Sequence, residues 1–347
     1  MNLSILYRGP LSSCNYACDY CPFAKRTESG PELAHDRACL ERFVGWVRTR
    51  TADAVGVLFT PWGEALARKW YQSALAELTH LPHVTKAAIQ TNISCKLDWV
   101  EECNKEKLAL WCTYHPTETT RERFLAKCRE LLERGVRFSV GVVGLKEHFD
   151  EVTALRAELP PEVYLWVNAY KRGAPTPLVP EGREKGNLPP GPLPEGKGRE
   201  EFAESRHKSD GPGAGAELPL PEGRGPGGGL ASPQPLTHYY TPEMIADLTR
   251  VDPLFPMNNT YHASRGESCR AGARVISVDG AGDVRRCHFI KDVIGNIYAP
   301  DFAACLMERP CSNATCGCHI GYVHLDRLQL YDAFGDGVLE RVPLGYR

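Results

Sequence analysis

The sequence predicts an α/β protein: a partial (βα)6 barrel of the TIM type, then a disordered Pro/Gly-rich linker, then a small cysteine-rich C-terminal domain. Three observations predict this. The first 170 residues alternate short apolar runs with longer amphipathic ones, the pattern of a parallel sheet covered by helices. Residues 173 to 235 hold 14 of the 32 glycines, 13 of the 27 prolines and a single aromatic, Phe202, a composition that cannot build a core. Beyond that segment the cysteines crowd together, at Cys269, Cys287, Cys311, Cys316 and Cys318. The expected bounds are 1–172, 173–236 and 237–347.

Six strands are expected in the barrel, at Leu3 to Tyr7, Ala54 to Thr60, Lys86 to Thr91, Leu108 to Tyr114, Val136 to Val143 and Val163 to Asn168. Each is rich in Val, Leu, Ile, Tyr or Phe and has no interior proline. Between them run helical patterns, best seen over Thr119 to Arg134, where Thr119 and Glu122 have capping-box spacing and Leu125, Cys128 and Leu132 share a face. Gly135 is placed to end that helix. After the linker, Thr241-Pro242-Glu243 opens a helix running through Thr249. Arg274 to Asp279 followed by the turn Gly280 to Asp283 reads as a hairpin that brings Cys269 and Cys287 together.

With 347 residues, 42% of them hydrophobic, the chain can bury a full core. Fourteen cysteines without a secretory leader fit a reducing cytoplasm better than a disulfide framework. No run of about 18 apolar residues is present, so no membrane helix is expected. A formal net charge of -2 and the lack of a basic stripe argue against a nucleic-acid partner.

The chemistry begins directly after the first strand. Cys14, Cys18 and Cys21 stand in a C-x3-C-x2-C run, and three thiolates on one loop can ligate three irons of a cubane while the fourth iron stays open to a substrate. Loops at the carboxyl ends of barrel strands are where functional groups gather. Zinc would want a fourth ligand for tetrahedral closure, and the nearest candidates are His35 and Cys39. The C-terminal set offers five thiolates for four positions, a metal-site signal that either an iron-sulfur cluster or zinc satisfies. Cys39, Cys95, Cys103, Cys112 and Cys128 read as buried thiols. His115, His288, His319 and His324 are candidate proton donors or substrate contacts.

The cysteine run, with the aromatic Tyr20 before the third cysteine, resembles the signature of the radical S-adenosylmethionine (SAM) enzymes. Thr60-Pro61-Trp62-Gly63-Glu64-Ala65 looks like a variant of that family's Gly-Gly-Glu-Pro turn, with Trp62 in place of the first glycine and Ala65 in place of the proline. Thr91-Asn92 after the third strand, Glu147 within a Gly-x-Ile-x-Gly-x-x-Glu-like segment that has Val140 for its first glycine, and Asn168 at the sixth strand's end fall where the family contacts the cofactor. The resemblance therefore implies cofactor-binding roles for Tyr20, Gly63, Glu64, Thr91, Asn92, Glu147 and Asn168. It implies a 4Fe-4S cluster on Cys14, Cys18 and Cys21, and reductive cleavage of SAM to a 5'-deoxyadenosyl radical that abstracts hydrogen from a peptide, protein or small-molecule substrate. A flavodoxin- or ferredoxin-type reductant is the implied electron donor.

Cys269-x12-Gly282-x4-Cys287 fits the opening frame of the SPASM and twitch auxiliary-cluster domains. Cys269, Cys287, Cys311, Cys316 and Cys318 are too few for a two-cluster SPASM domain, so the resemblance implies one auxiliary 4Fe-4S cluster of the twitch type. Cys269, Cys287 and Cys316 are the favoured ligands, with the fourth from Cys311 or Cys318. The first strand starts at the chain's beginning, so no leader-binding domain is expected ahead of the barrel. Two other classes stay open: an iron-sulfur electron carrier, discriminated by SAM binding, and a zinc-stabilised interaction protein, discriminated by metal analysis.

Overall fold

A computed structural model of the protein describes residues 1–21, 23, 27–171, 234–235 and 239–346. The expected linker, 173–236, therefore lies outside the described residues except for 234–235. The strands are β1 (Asn2–Arg8), β2 (Ala54–Phe59), β3 (Val84–Thr91), β4 (Leu108–Tyr114), β5 (Arg137–Val143), β6 (Leu165–Asn168), β7 (Gln234–Pro235), β8 (Thr260–Ala263), β9 (Val275–Asp279), β10 (Asp283–Arg285), β11 (Val293–Asn296) and β12 (Thr315–Cys316). The helices are α1 (Gly30–Arg48), α2 (Lys69–His80), α3 (Arg121–Glu133), α4 (Phe149–Glu158), α5 (Pro242–Val251), α6 (Phe255–Asn258), α7 (His319–Tyr322) and α8 (Leu330–Phe334).

All six strands expected in the first 170 residues form, and they pair in parallel in the order β1-β2-β3-β4-β5-β6. Helices α1 to α4 fill four of the five crossovers, and a 3-10 helix at Asp98–Glu102 lies in the fifth, between β3 and β4. Three C-terminal strands extend the sheet past β1, because β9 pairs in parallel with β1 and carries β10 and β11 with it as antiparallel neighbours. The expected hairpin at Arg274 to Asp283 is thus present and stands at the edge of the barrel sheet. A separate small sheet has the order β12-β8-β7.

The sheet is buried on both faces. One set of alternating residues, including Ile5, Tyr7, Val57 and Phe59, packs against α1 to α4 through Phe43, Leu75, Phe124 and Leu155. The other set, including Leu6, Leu58, Ala88, Trp111 and Trp166, packs against Ile320, Tyr322, Phe334 and Leu339 of the C-terminal segment. Gly141 on β5 leaves the space that Trp166 occupies, since a Cβ there would lie 1.9 Å from that indole. Packing alone therefore accounts for glycine at this position.

The C-terminal segment fills the amino-end of the sheet's inner face with charge as well as carbon. Glu340, fully buried, pairs with Lys86 at 2.9 Å and Arg137 at 3.1 Å. Arg341 lays its guanidinium over the rings of Trp166 at 4.4 Å and Trp111 at 5.6 Å. These residues fill the amino end at β3 and β5, while a cavity lined by Asn2, Ser4, Ala54, Gly56 and Thr85 opens beside the amino ends of β1 and β2.

Two helix starts show how local sequence sets the ends. Ser29 caps α1 with a complete capping box to Glu32. The cap of α3 is Thr120 rather than the expected Thr119, one residue later. Thr119 is still in the preceding turn, its N–H donating to the His115 carbonyl at 3.2 Å. Gly135 ends α3 in the left-handed region at φ 68°, as expected.

Candidate functional site

The cysteine loop follows β1 and is held from four directions. Before it, Leu11 N–H donates to the buried Asp36 carboxylate at 3.1 Å, which also accepts from Trp70 Nε1 and Tyr71 Oη. Glu28, also buried, accepts from Ser12 N–H at 2.7 Å and Ser13 Oγ at 2.6 Å. From the β2 side, Glu64 N–H donates to the Ser13 carbonyl at 3.1 Å. Gly63 comes so near that a Cβ there would sit 1.7 Å from the Ser13 carbonyl oxygen. Only glycine permits that approach.

From the β3 side, Asn92 Nδ2 donates to Asn15 Oδ1 at 3.1 Å, and Asn15 Nδ2 donates to Ser94 Oγ at 3.0 Å. From the β4 side, His115 Nδ1 lies 3.4 Å from Cys18 Sγ and 3.0 Å from Tyr20 Oη. Burial lowers His115 to about 4, so the ring is neutral.

Glu64 is the hinge of this arrangement. It is buried, and its carboxylate accepts from Leu66 N–H at 3.0 Å, Thr91 Oγ1 at 2.7 Å and Asn92 N–H at 2.6 Å. Burial pushes it up to about 7 against those three donors. Thr91 and Asn92 in turn accept from Ile93 N–H and Ser94 N–H, holding Ile93 at φ 48°. A β-branched residue in the left-handed region costs on the order of 1–3 kcal/mol. Gly63, Glu64, Thr91, Asn92 and Tyr20 are therefore all gathered at the cysteine loop.

Glu147 and Asn168 are not in that network. Glu147 is exposed beside Tyr239, and Asn168 is exposed at the end of β6, using its carbonyl to accept from Gly144 N–H at 3.0 Å. Glu28, Asp36 and His115 are the residues that position the loop without a spacing signal. Buried carboxylates that accept backbone and hydroxyl hydrogens have no sequence pattern of their own, and His115 is marked only by following a strand.

The three loop thiols can act together. Cys18 is buried and Cys14 and Cys21 half-buried, and the charge of Cys21 raises both Cys14 and Cys18 after the larger effect of burial. Tyr16 N–H points at Cys14 Sγ at 3.4 Å, a donor suited to a thiolate. The set fits soft, thiolate-demanding metal chemistry.

The C-terminal thiols form a second set. Cys269, Cys287, Cys311 and Cys316 interact electrostatically in every pairing among the four, and Cys318 interacts with Cys316. Hydrogen bonds stitch the segments that carry these four. Gly266 N–H donates to the Cys311 carbonyl at 2.8 Å, Cys311 N–H to Glu267 at 3.0 Å, and Asn313 Nδ2 to the Phe289 carbonyl at 3.0 Å. A side chain at Gly321 would strike Cys316 Sγ at 2.7 Å. Among the described residues no three His, Cys, Asp or Glu side chains are close enough to share one metal ion. Thiolates that each bond a different iron stand farther apart than ligands of a single ion.

No protein-family model and no curated protein matches the sequence. Solved structures similar to it include anSMEcpe with bound AdoMet (14% identity, 85% of this chain and 77% of that chain, TM-score 0.48). Others are anSMEcpe with AdoMet and the Kp18Cys peptide (12%, 98% and 98%, TM-score 0.48) and BtrN with AdoMet and 2-DOIA (16%, 87% and 85%, TM-score 0.34). These neighbours are radical SAM enzymes. Among the described residues no helix is long and apolar enough to cross a membrane.

Proposed function

We propose that the chain is a radical SAM enzyme carrying two iron-sulfur clusters. The observation that carries this reading is the cysteine loop at the carboxyl end of β1, seated on Gly63 and tied through Asn15 to Asn92, which Glu64 in turn holds. Cys14, Cys18 and Cys21 would hold the first cluster, leaving one iron for SAM. When bound, the cluster and SAM supply one-electron cleavage to a 5'-deoxyadenosyl radical that takes hydrogen from the substrate.

The protein's own contribution is position and exclusion of water. Three acceptor places on the Glu64 carboxylate are filled by Leu66, Thr91 and Asn92, which supports one remaining place for the SAM ammonium group. Tyr20 and His115 cover Cys18. Exposed Glu147 and Asn168 would serve the cofactor only through contacts the residues do not make among themselves, and they are the weaker members of the assignment.

In the second set, the mutual interactions favour Cys269, Cys287, Cys311 and Cys316 as the four ligands of an auxiliary cluster. The barrel then spans 1–172 and the auxiliary part 237–347. A cytoplasmic setting and a flavodoxin- or ferredoxin-type donor complete the reading, because low-potential clusters need a reducing partner. The test is 5'-deoxyadenosine formation by the anaerobically reconstituted, reduced protein given SAM, beside Cys14→Ala. Product from the wild type alone is expected. Full iron loading without SAM binding would favour an electron carrier, and zinc in place of iron and sulfide would favour a scaffold.

A further inference from the structure

The cavity at the amino ends of β1 and β2 has a volume of about 330 Å³ and reaches β9 through Val275 and α8 through Tyr331. Among the described residues its lining holds two cations, Arg270 and Arg274, and no acid. One backbone turn carries both. Arg274 N–H donates to the Arg270 carbonyl at 3.0 Å, and Gly272, at φ 93°, takes the left-handed conformation within that turn. The turn is tied to β1, because Ser4 N–H donates to the Arg274 carbonyl at 2.8 Å, and to the C-terminal segment, because Arg270 N–H donates to the His324 carbonyl at 3.0 Å.

The two guanidiniums are placed differently. Arg270 lies 3.7 Å from the Tyr331 ring centre, and its Nε stands 3.5 Å from an Asp326 carboxylate oxygen. Ring and carboxylate fix its direction while sharing part of its charge. Arg274 is exposed. From the strands come small polar groups. Gly56 on β2 has no side chain, and the place where a Cβ would stand is 3.7 Å from both Ser4 Oγ and Thr85 Oγ1. Thr85 Oγ1 donates to the Val55 carbonyl at 3.2 Å, so the hydroxyl on this side that can donate to a ligand is that of Ser4.

We propose that this cavity binds the phosphate group of a small molecule, with Arg270, Arg274 and Ser4 as the donors. Guanidinium forks match phosphate oxygens two at a time, and a hydroxyl adds a third donor. A lone phosphate does not fill about 330 Å³, and pockets for small ligands begin near about 300 Å³, so the ligand carries an organic part as well. The site is separate from the cysteine loop. Asn2 and Arg8 are the two ends of β1; the cavity is at Asn2, and the loop follows Arg8. The inference therefore holds whether or not the chain is a radical SAM enzyme.

The test uses inorganic phosphate on the full chain. Phenylglyoxal labels arginine side chains, and peptide mass spectrometry reads each one separately. Labelling of Arg274 is expected to slow about tenfold, saturably, in phosphate held about tenfold above its dissociation constant, with chloride keeping the ionic strength constant. Arg250 of α5, outside the cavity, is the internal control and keeps its rate. In Arg270→Gln and in Ser4→Ala, about tenfold more phosphate should be needed for the same protection of Arg274. Acetate at the same concentration should protect little.

Five results would overturn the site: no protection of Arg274; equal protection by chloride, which means charge screening only; parallel protection of Arg250; an unchanged phosphate dependence in both variants; or protection by acetate as strong as by phosphate, which means a carboxylate site instead. Protection of Arg274 by SAM would also overturn it, since the cavity would then belong to the cofactor. Failure of the radical SAM reading looks different, as no SAM binding by the wild type with phosphate protection intact.

Discussion

Gly63→Ala tests whether the cysteine loop is seated as the geometry requires. The new Cβ would fall 1.7 Å from Ser13 O, 2.4 Å from Ser13 C and 3.1 Å from Cys14 N. All three are backbone atoms, so no rotamer change relieves the contact, and the loop must retreat by more than an ångström. That movement breaks the Glu64 N–H to Ser13 carbonyl bond, now 3.1 Å. Losing one such bond costs about 1 kcal/mol, and forced overpacking about 1–3 kcal/mol more. At about 1.4 kcal/mol per factor of ten, the native loop geometry becomes roughly 30- to 800-fold less favourable. The assay is iron and sulfide per chain after anaerobic reconstitution, together with the urea midpoint. On the proposed two-cluster reading, loss of about one cluster of iron, the share proposed for Cys14, Cys18 and Cys21, and a lower midpoint are expected. The control is Gly45→Ala within α1, where nothing lies within 4 Å and alanine favours the helix. Iron and midpoint equal to wild type in Gly63→Ala would refute the reasoning.

Glu64→Gln keeps the shape but turns one oxygen into a donor facing Leu66 N–H or Asn92 N–H. A loss of about 1–3 kcal/mol in urea unfolding is expected, and an unchanged midpoint would show that the three donors are not what orders Thr91 and Asn92. His115→Phe removes the ring nitrogen from Cys18 and Tyr20. On the proposed reading Cys18 would be a cluster thiolate, which only accepts, so His115 would donate to it, and the reduction potential of a cluster held by the loop should fall by roughly 40 mV for each kcal/mol of hydrogen bond lost; EPR-monitored titration giving the wild-type potential would exclude that bond. Acidification should destabilise the apoprotein: burial holds His115 at about 4 and His324 at about 3, and keeps His288 and His319 far below their ordinary value. Their depressed folded pKa values mean that the unfolded chain binds the extra protons, so stability is full above about pH 6.5 and is lost as pH falls below it. Glu64, raised to about 7, acts oppositely between its ordinary range and neutrality, as do the buried Asp36 and Asp252, whose carboxyls burial also raises, but these acids are fewer than the lowered histidines. Equal urea midpoints at pH 7.5 and pH 5 would contradict this balance.

Legibility followed how local each determinant is. The six parallel strands could be read because their apolar runs are continuous and bounded by turns, and the three loop cysteines because their spacing is contiguous. The clamp on the loop could not, since Glu28 and Asp36 act through hydrogen bonds to Ser12, Ser13 and Leu11 across more than a dozen residues. Nothing in the composition around either acid distinguishes it from a solvated surface carboxylate. The same holds for the far end of the sheet, where Glu340 meets Lys86 across 254 positions. Glu64 shows the limit from the other side. A Gly-Glu turn invites a direct cofactor role, yet three of its acceptor places are spent on Leu66, Thr91 and Asn92. Its first task is to join the ends of β2 and β3 so that Asn92 can reach Asn15 of the cysteine loop. Any contact with a cofactor ammonium is then built on a carboxylate already oriented by the fold, which is the preorganisation that a short-lived radical would require of its binding site.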